Sequence, residues 1–209
     1  ATVAPLGPVV DLPISDWDHS YQVNLRGPVL FAQAYLPGML KRGSGAFICV
    51  SSTGAQYMGP YETMKAAQVH LANTIEAEVE GSGVSVFTIG PGFVPTETAL
   101  RSIPKIAHWM EIEEQSLQAI LANQTISIEA AGVSFAAAVA MAERYHGQEI
   151  GGIQALMDAG LYHLVKSDEQ RLTFDWNRLV DVLRRVSETL EIESTSWQDR
   201  NLFERQWLH

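Results

Sequence analysis

Tyr61 and Lys65, four residues apart, are the side chains in this 209-residue chain best suited to moving a proton. Residues at that spacing share one face of a helix, so both can point into one crevice. A free tyrosine titrates near pH 10, too high for easy proton exchange at neutrality. A neighbouring ammonium favours the phenolate. Bringing the tyrosine down to about 7 takes roughly 4 kcal/mol, which a partly desolvated lysine and a cationic cofactor could supply together. Ser51 and Ser52 lie upstream, and a serine hydroxyl there could hold a substrate oxygen in line. Tyr61 would then serve as general acid or base in carbonyl reduction or alcohol oxidation. Since Tyr-x-x-x-Lys is a common helical spacing, the surrounding elements must carry the rest of the case.

Those elements alternate. Ser15-Asp16-Trp17-Asp18 has capping-box spacing and opens a helical pattern with Trp17, Tyr21, Leu25, Val29, Ala32 and Leu36 on one side. Gly27-Pro28 should kink or restart that helix, and Lys41-Arg42-Gly43 closes it. Ala46 to Val50 is a continuous apolar run, as in a strand buried on both faces, with Ser51 and Ser52 at its carboxyl end. A second long helix runs from Tyr61 to about Glu80, and a second buried strand from Val84 to Ile89 ends at Gly90-Pro91-Gly92. Residues 93–123 are mixed, helical from Glu113 to Leu121 and otherwise loop-like. Ser127 starts an alanine-rich helix to about Tyr145, and Ile153 to Met157 is a third strand candidate. Helix and strand in alternation predict an α/β sheet with crossover helices. In such sheets ligands bind beyond the carboxyl ends of the strands, where the serines, the Pro-Gly turn and Tyr61 converge.

Composition excludes several classes. Apolar residues make up 46% and charged residues 18%, with a net charge of −10 and dispersed Lys and Arg, which argues against nucleic acid or an anionic membrane as partner. No apolar run reaches the roughly 18 residues of a membrane span. The N-terminus lacks the basic start and apolar core of a signal peptide. The single cysteine, Cys49, sits in an apolar run and reads as a buried small hydrophobe, so a cytoplasmic location is expected. His19, His70, His108, His146, His163 and His209 are scattered without metal-ligand spacing. No G-x-S-x-G elbow surrounds Ser52, which counts against a hydrolase.

Four segments in order carry a resemblance. Val23-Asn24-Leu25-Arg26-Gly27, Phe47 to Ser52, Tyr61-Glu62-Thr63-Met64-Lys65-Ala66-Ala67 and Ile89 to Thr96 resemble the short-chain dehydrogenase/reductase family. His146 to Ile150 and Met157 to Gly160 resemble its closing strand, so the likeness runs from Ala1 to about Gly160. The resemblance implies that Tyr61 is the catalytic acid/base and that Lys65 lowers its pKa and binds the nicotinamide ribose. It implies that Ser52 orients the substrate oxygen and that Asn24 holds a water in a proton relay at a helix kink. Pro91, Gly92, Val94 and Thr96 would contact the nicotinamide end and diphosphate of NAD or NADP. The gap from Ser52 to Tyr61 is shorter than usual in the family, which leaves open whether Ser51 or Ser52 faces the substrate.

The family's T-G-x-x-x-G-x-G turn, which cradles pyrophosphate at a helix N-terminus, does not occur in these residues. Ala1 aligns just after the family's fourth strand. The expected architecture is therefore a Rossmann-like parallel sheet with flanking helices over residues 1–160, N-terminally incomplete, plus a C-terminal helical extension over 161–209. Phe174 to Leu190 reads as an amphipathic helix, and Trp197, Phe203 and Trp207 as a packing or oligomer arm. Ile106, Trp109 and Met110 either line a substrate pocket or simply pack. The expected protein is an NAD(P)-dependent oxidoreductase of small carbonyls or alcohols. The family implies a homodimer or homotetramer built on the two long helices. The alternative is a non-catalytic member serving as an interaction module.

Overall fold

The computed structural model describes residues 4–52, 57–122 and 125–165. Helix α1 (Ile14–Tyr21) passes through a π-helical segment (Gln22–Arg26) into α2 (Gly27–Arg42). Strand β1 (Gly45–Val50), α3 (Gly59–Val79) and β2 (Val84–Gly90) follow, then α4 (Glu97–Trp109), α5 (Glu114–Ala122), α6 (Ile128–Ala140) and α7 (Ala142–Tyr145). Strand β3 (Glu149–Gly151), α8 (Gly152–Asp158) and a 3₁₀ turn (Tyr162–Leu164) complete the described chain.

The three strands are parallel in the order β1-β2-β3, with Gly45 to Val50 facing Val84 to Ile89 and Thr88 to Gly90 facing Glu149 to Gly151. Alternate side chains leave a strand on opposite faces, and the two faces have separate cores. Cys49, Val84 and Val86 pack with Ala32 of α2 and Ala72, Ile75 and Val79 of α3. Phe87, Ile89 and Ile150 pack with Ala138, Ala142, Tyr145 and Ala155 on the other. Helices cover both faces of a parallel sheet, the Rossmann-like arrangement expected. Strand β2, paired on both edges, is buried along its whole length. The expectation of full burial fails for β1, where only Cys49 is buried and the rest is half-buried. Among the described residues β1 pairs with β2 alone.

Five further expectations need correction. Helix α1 starts at Ile14 after Pro13, with no side-chain cap, so the Ser15 capping box does not form. The expected restart at Gly27-Pro28 is met, since α2 begins at Gly27 with Pro28 in its first turn, and a π segment precedes it. The extra residue of that segment rotates the helix face, and Tyr21 of the predicted apolar stripe is 46% exposed. Within the loop-like stretch, Glu97–Trp109 is helical despite Pro104, because Ile103, Ile106 and Ala107 bury one face of it. The alanine-rich helix breaks at Met141 into α6 and α7. The strand proposed at Ile153 to Met157 is helix α8, and the strand is Glu149–Gly151 immediately before it. A short apolar run has no periodicity with which to tell a strand from a buried helix. The predicted helix Phe174 to Leu190, the aromatic tail and nearly all of the C-terminal extension lie outside the described residues.

Residues before α1 read as an irregular lead-in, and they also anchor the start of α3. The Gly7 N–H donates to the Tyr57 carbonyl at 2.8 Å, and Gly7 bridges Met58. Gly59 has φ +47°, and a Cβ there would stand 2.5 Å from Leu12 Cδ1 and 3.1 Å from the Gly7 oxygen. Only glycine fits that entry to the helix bearing Tyr61.

Candidate active site

The buried face of α3 carries Lys65, Gln68, Ala72, Ile75 and Val79 at three- and four-residue steps. Its apolar end packs on the sheet, and its polar end meets the carboxyl end of β1. Lys65, 6% exposed, donates from Nζ to the carbonyl of Val50 at 2.8 Å. Its Nζ also stands 5.8 Å from the Tyr61 ring centroid, so the predicted pair does share a face. Burial pushes the Lys65 pKa down, while the charges of Glu62 and Cys49 push it up. Cys49 is itself buried beneath this end of the sheet, and burial raises its thiol to about 11 against the pull of Lys65. The thiol is therefore neutral and inert, as the apolar run around it implied.

Tyr61 departs from expectation. Its pKa is raised, first by burial and then by the Glu62 carboxylate, and a hydrogen bond with Ser52 opposes the rise. Lys65 at 5.8 Å, held by the Val50 carbonyl, does not reverse this. The lowering expected of Lys65 and a cationic cofactor together is thus not produced by Lys65 alone. Ser52 donates its hydroxyl to Glu62 Oε1. Ser51 is buried, its N–H donates to the Ile89 carbonyl at 3.0 Å, and its hydroxyl has no partner among the described residues. Of the two serines, Ser52 is the one bonded to α3, through Glu62.

Asn24 lies in the π segment, 1% exposed, and donates from Nδ2 to Ser20 Oγ at 3.0 Å. Its backbone carbonyl accepts from Gln68 Nε2. A π turn shifts the helical hydrogen bonds by one residue, and the buried Gln68 side chain meets the carbonyl at that point. Gln68 was not singled out from sequence, although its position three residues after Lys65 on one face was a usable signal. Glu62 was quoted only as part of a motif, because its direction depends on how α3 rotates against β1.

The turn after β2 is held from beneath. Gly92 has φ +85°. Pro91 rests against Gly152, where a Cβ would stand 3.0 Å from the Pro91 oxygen. Val94 packs against the cluster of Ile126, Ala130, Ala131 and Leu156, leaving its backbone as the part able to meet a ligand. Thr96 caps α4 by accepting from the Ala99 N–H at 3.3 Å. These four residues form one segment beside the β1 end, and no contact joins them to Tyr61 or Lys65 among those described.

Ile106 is buried in a cluster with Met58 and Met110. Trp109 lies 6.5 Å from the Tyr57 ring and lines a depression of about 560 Å³ with Ala107, His108, Glu111, Ile112 and Glu113. His146 is structural: its Nδ1 accepts from the Val86 N–H at 3.0 Å and its Nε2 lies 3.5 Å from Glu76. Among the described residues no group of three or more His, Cys, Asp or Glu could hold a metal, and no helix is long and apolar enough to cross a membrane.

Comparison with known proteins agrees with this fold. The family model described as short chain dehydrogenase matches residues 1–106. The chain belongs to the short chain dehydrogenase family. A short chain dehydrogenase of Pseudocercospora fijiensis is 42% identical over 103 residues, covering 46% of this chain and 33% of the relative. Dehydrogenase/reductase SDR family member 4 of Bos taurus is 35% identical over 101 residues, covering 46% and 36%. The chain thus spans about a third of the length of these curated relatives. Sorbitol-6-phosphate 2-dehydrogenase of Erwinia amylovora superposes with a TM-score of 0.62 at 21% identity, over 72% of this chain and 64% of that one. A protein assigned as an NAD(P) dependent gluconate 5-dehydrogenase of Beutenbergia cavernae, with bound NADP at low occupancy, gives 0.59 at 22% identity, over 73% and 61%.

Proposed function

We propose that this chain supplies the catalytic half of an NAD(P)-dependent oxidoreductase acting on a small carbonyl or alcohol, with Tyr61 as general acid/base. The observation that carries the reading is the meeting of α3 with the carboxyl end of β1, where the Lys65 ammonium stands over the Tyr61 ring and on the Val50 carbonyl and Ser52 bonds the neighbouring Glu62. Ser52 orients the substrate oxygen, and Tyr61 delivers a proton to it in reduction or removes one in oxidation. NAD or NADP, when bound, supplies or accepts the hydride.

The described residues fit the nicotinamide end of such a cofactor. A buried ammonium, a left-handed Gly92 and the unpartnered hydroxyl of Ser51 stand at adjacent strand ends, where open α/β sheets bind ligands. Lys65 would bind the nicotinamide ribose, and Pro91, Gly92, Val94 and Thr96 would border the cofactor. Asn24, buried in the π segment, would hold a water in a proton relay. In this reading the glycine-rich diphosphate cradle belongs to sequence outside these 209 residues, and the protein works in the cytoplasm as a homodimer or homotetramer.

A second reading, a non-catalytic family member, is favoured by one observation: the Glu62 carboxylate beside Tyr61 holds the hydroxyl of Ser52. Titration of reduced nicotinamide fluorescence separates the two. Saturable binding to the polypeptide carrying both halves, lost on Lys65→Met, supports the oxidoreductase. Its absence in that polypeptide supports the interaction module.

A further inference from the structure

Glu62 follows Tyr61 directly and has no part in the catalytic assignment above. A serine hydroxyl has one proton and two lone pairs. The Ser52 proton points at Glu62 Oε1. While it does, Ser52 can accept a hydrogen bond but cannot donate one to a phenolate or to a substrate carbonyl oxygen. We propose that Glu62 is a positioning residue that governs the Tyr61–Ser52 pair by competing for the single hydroxyl proton of Ser52.

The chemistry of the contest is simple. With the carboxylate engaged, Ser52 offers only lone pairs. The Tyr61 phenolate is then left without the Ser52 donor, so Tyr61 keeps its proton, and an alcohol substrate, itself a donor, is accommodated better than a carbonyl. Once Glu62 is neutralised or displaced, the Ser52 proton is free to stabilise the phenolate or polarise a carbonyl. Direct repulsion between the Glu62 carboxylate and a Tyr61 phenolate adds to the same bias.

Other groups facing the pair are few among the described residues. Lys65 shares α3 and is tied to the Val50 carbonyl. Cys49 on β1 is a neutral thiol at ordinary pH. From the π segment, the group that reaches α3 is the uncharged Asn24 carbonyl.

This inference rests on Tyr61 being the acid/base, but its test requires neither cofactor nor turnover. Tyrosine labelled with ¹³C at Cζ is titrated by NMR, with Tyr61→Phe identifying the Tyr61 resonance. Glu62→Gln should titrate about one pH unit lower than wild type. That shift should shrink when Ser52→Ala is the background, because the contested proton is then gone. An unchanged Tyr61 titration in Glu62→Gln overturns the proposal, as does an equal shift with and without Ser52. If Glu62→Gln does not fold, Glu62→Asp carries the test: its shorter arm releases Ser52 while keeping the charge, so a fall supports the proposal and no change overturns it. A shifted Tyr61 in a protein without nicotinamide turnover would overturn the oxidoreductase reading and leave this one standing.

Discussion

Gly152 and Pro91 stand so close that a Cβ on Gly152 would lie 3.0 Å from the Pro91 carbonyl oxygen and 3.3 Å from its Cα. Gly152 opens α8, and the same Cβ would lie 2.9 Å from Ser134 Oγ on α6. The first turn of α8 therefore supports the backbone of the turn proposed to border the cofactor. Gly152→Ala should destabilise the protein by about 1–3 kcal/mol through overpacking. It should also weaken nicotinamide binding more than Gly132→Ala, where a Cβ meets nothing within 4 Å. Urea unfolding and fluorescence titration of both variants check the pair of effects, and equal binding by the two would count against this support.

Lys65 ties α3 to the last residue of β1 through the Val50 carbonyl. Lys65→Met keeps the length of the side chain and removes the donor. The loss of a charge-assisted bond to a half-buried carbonyl should cost about 1–2 kcal/mol after relief of the lysine's own burial. The measurement is a lower urea midpoint at unchanged slope. A stabilised variant would mean that burying the ammonium costs more than its hydrogen bond returns.

Gln68 satisfies the Asn24 carbonyl in the π segment. Gln68→Leu should cost about 1–3 kcal/mol, the penalty of an unpaired buried polar group. Amide hydrogen exchange should quicken in residues 20–27 more than along the rest of α2. Uniform exchange across both helices would show that the π turn is held by something else.

Tyr145 is 1% exposed and donates from its hydroxyl to Asp158 Oδ2 at 2.7 Å, while Arg144 pairs with Asp158 Oδ1 at 2.9 Å. Burial, the hydrogen bond and the charge of Asp158 all raise the phenol above its ordinary value. A folded-state pKa above the unfolded one gives stability that is complete below the unfolded value, about pH 10, and lost as pH rises beyond it. Wild-type stability should therefore fall above about pH 10. Tyr145→Phe, less stable at neutral pH by about 1–2 kcal/mol, should fall less steeply. Parallel pH curves for the two proteins would contradict the assignment.

What the sequence made legible follows from which signals are local. Tyr61 and Lys65 share a face because a four-residue step is little more than one helical turn, and that holds in any packed context. Ser52 was placed by its position just after a strand, although its partner Glu62 could not be chosen without knowing how α3 rotates on β1. The π segment was seen only as a kink or restart at Gly27-Pro28, and the restart is what forms. Its extra residue is sustained by Gln68, 44 positions away from Asn24, and no local propensity encodes such a contact. Helix α8 was misread because Ile153 to Met157 has no periodicity, and its packing on α6 through Gly152 is tertiary. The upward push on Tyr61 was not legible either, because it comes from burial and from Glu62, whose direction depends on that same rotation of α3.

The central claim is that Tyr61 moves the proton in a nicotinamide-linked reaction. The most direct test is the rate of reduced-nicotinamide consumption with small carbonyl substrates by the protein that carries these residues, wild type against Tyr61→Phe. Tyr61→Phe should lose at least roughly a hundredfold in kcat while binding nicotinamide as before and unfolding at a similar urea midpoint. A variant that turns over at the wild-type rate would contradict the assignment outright.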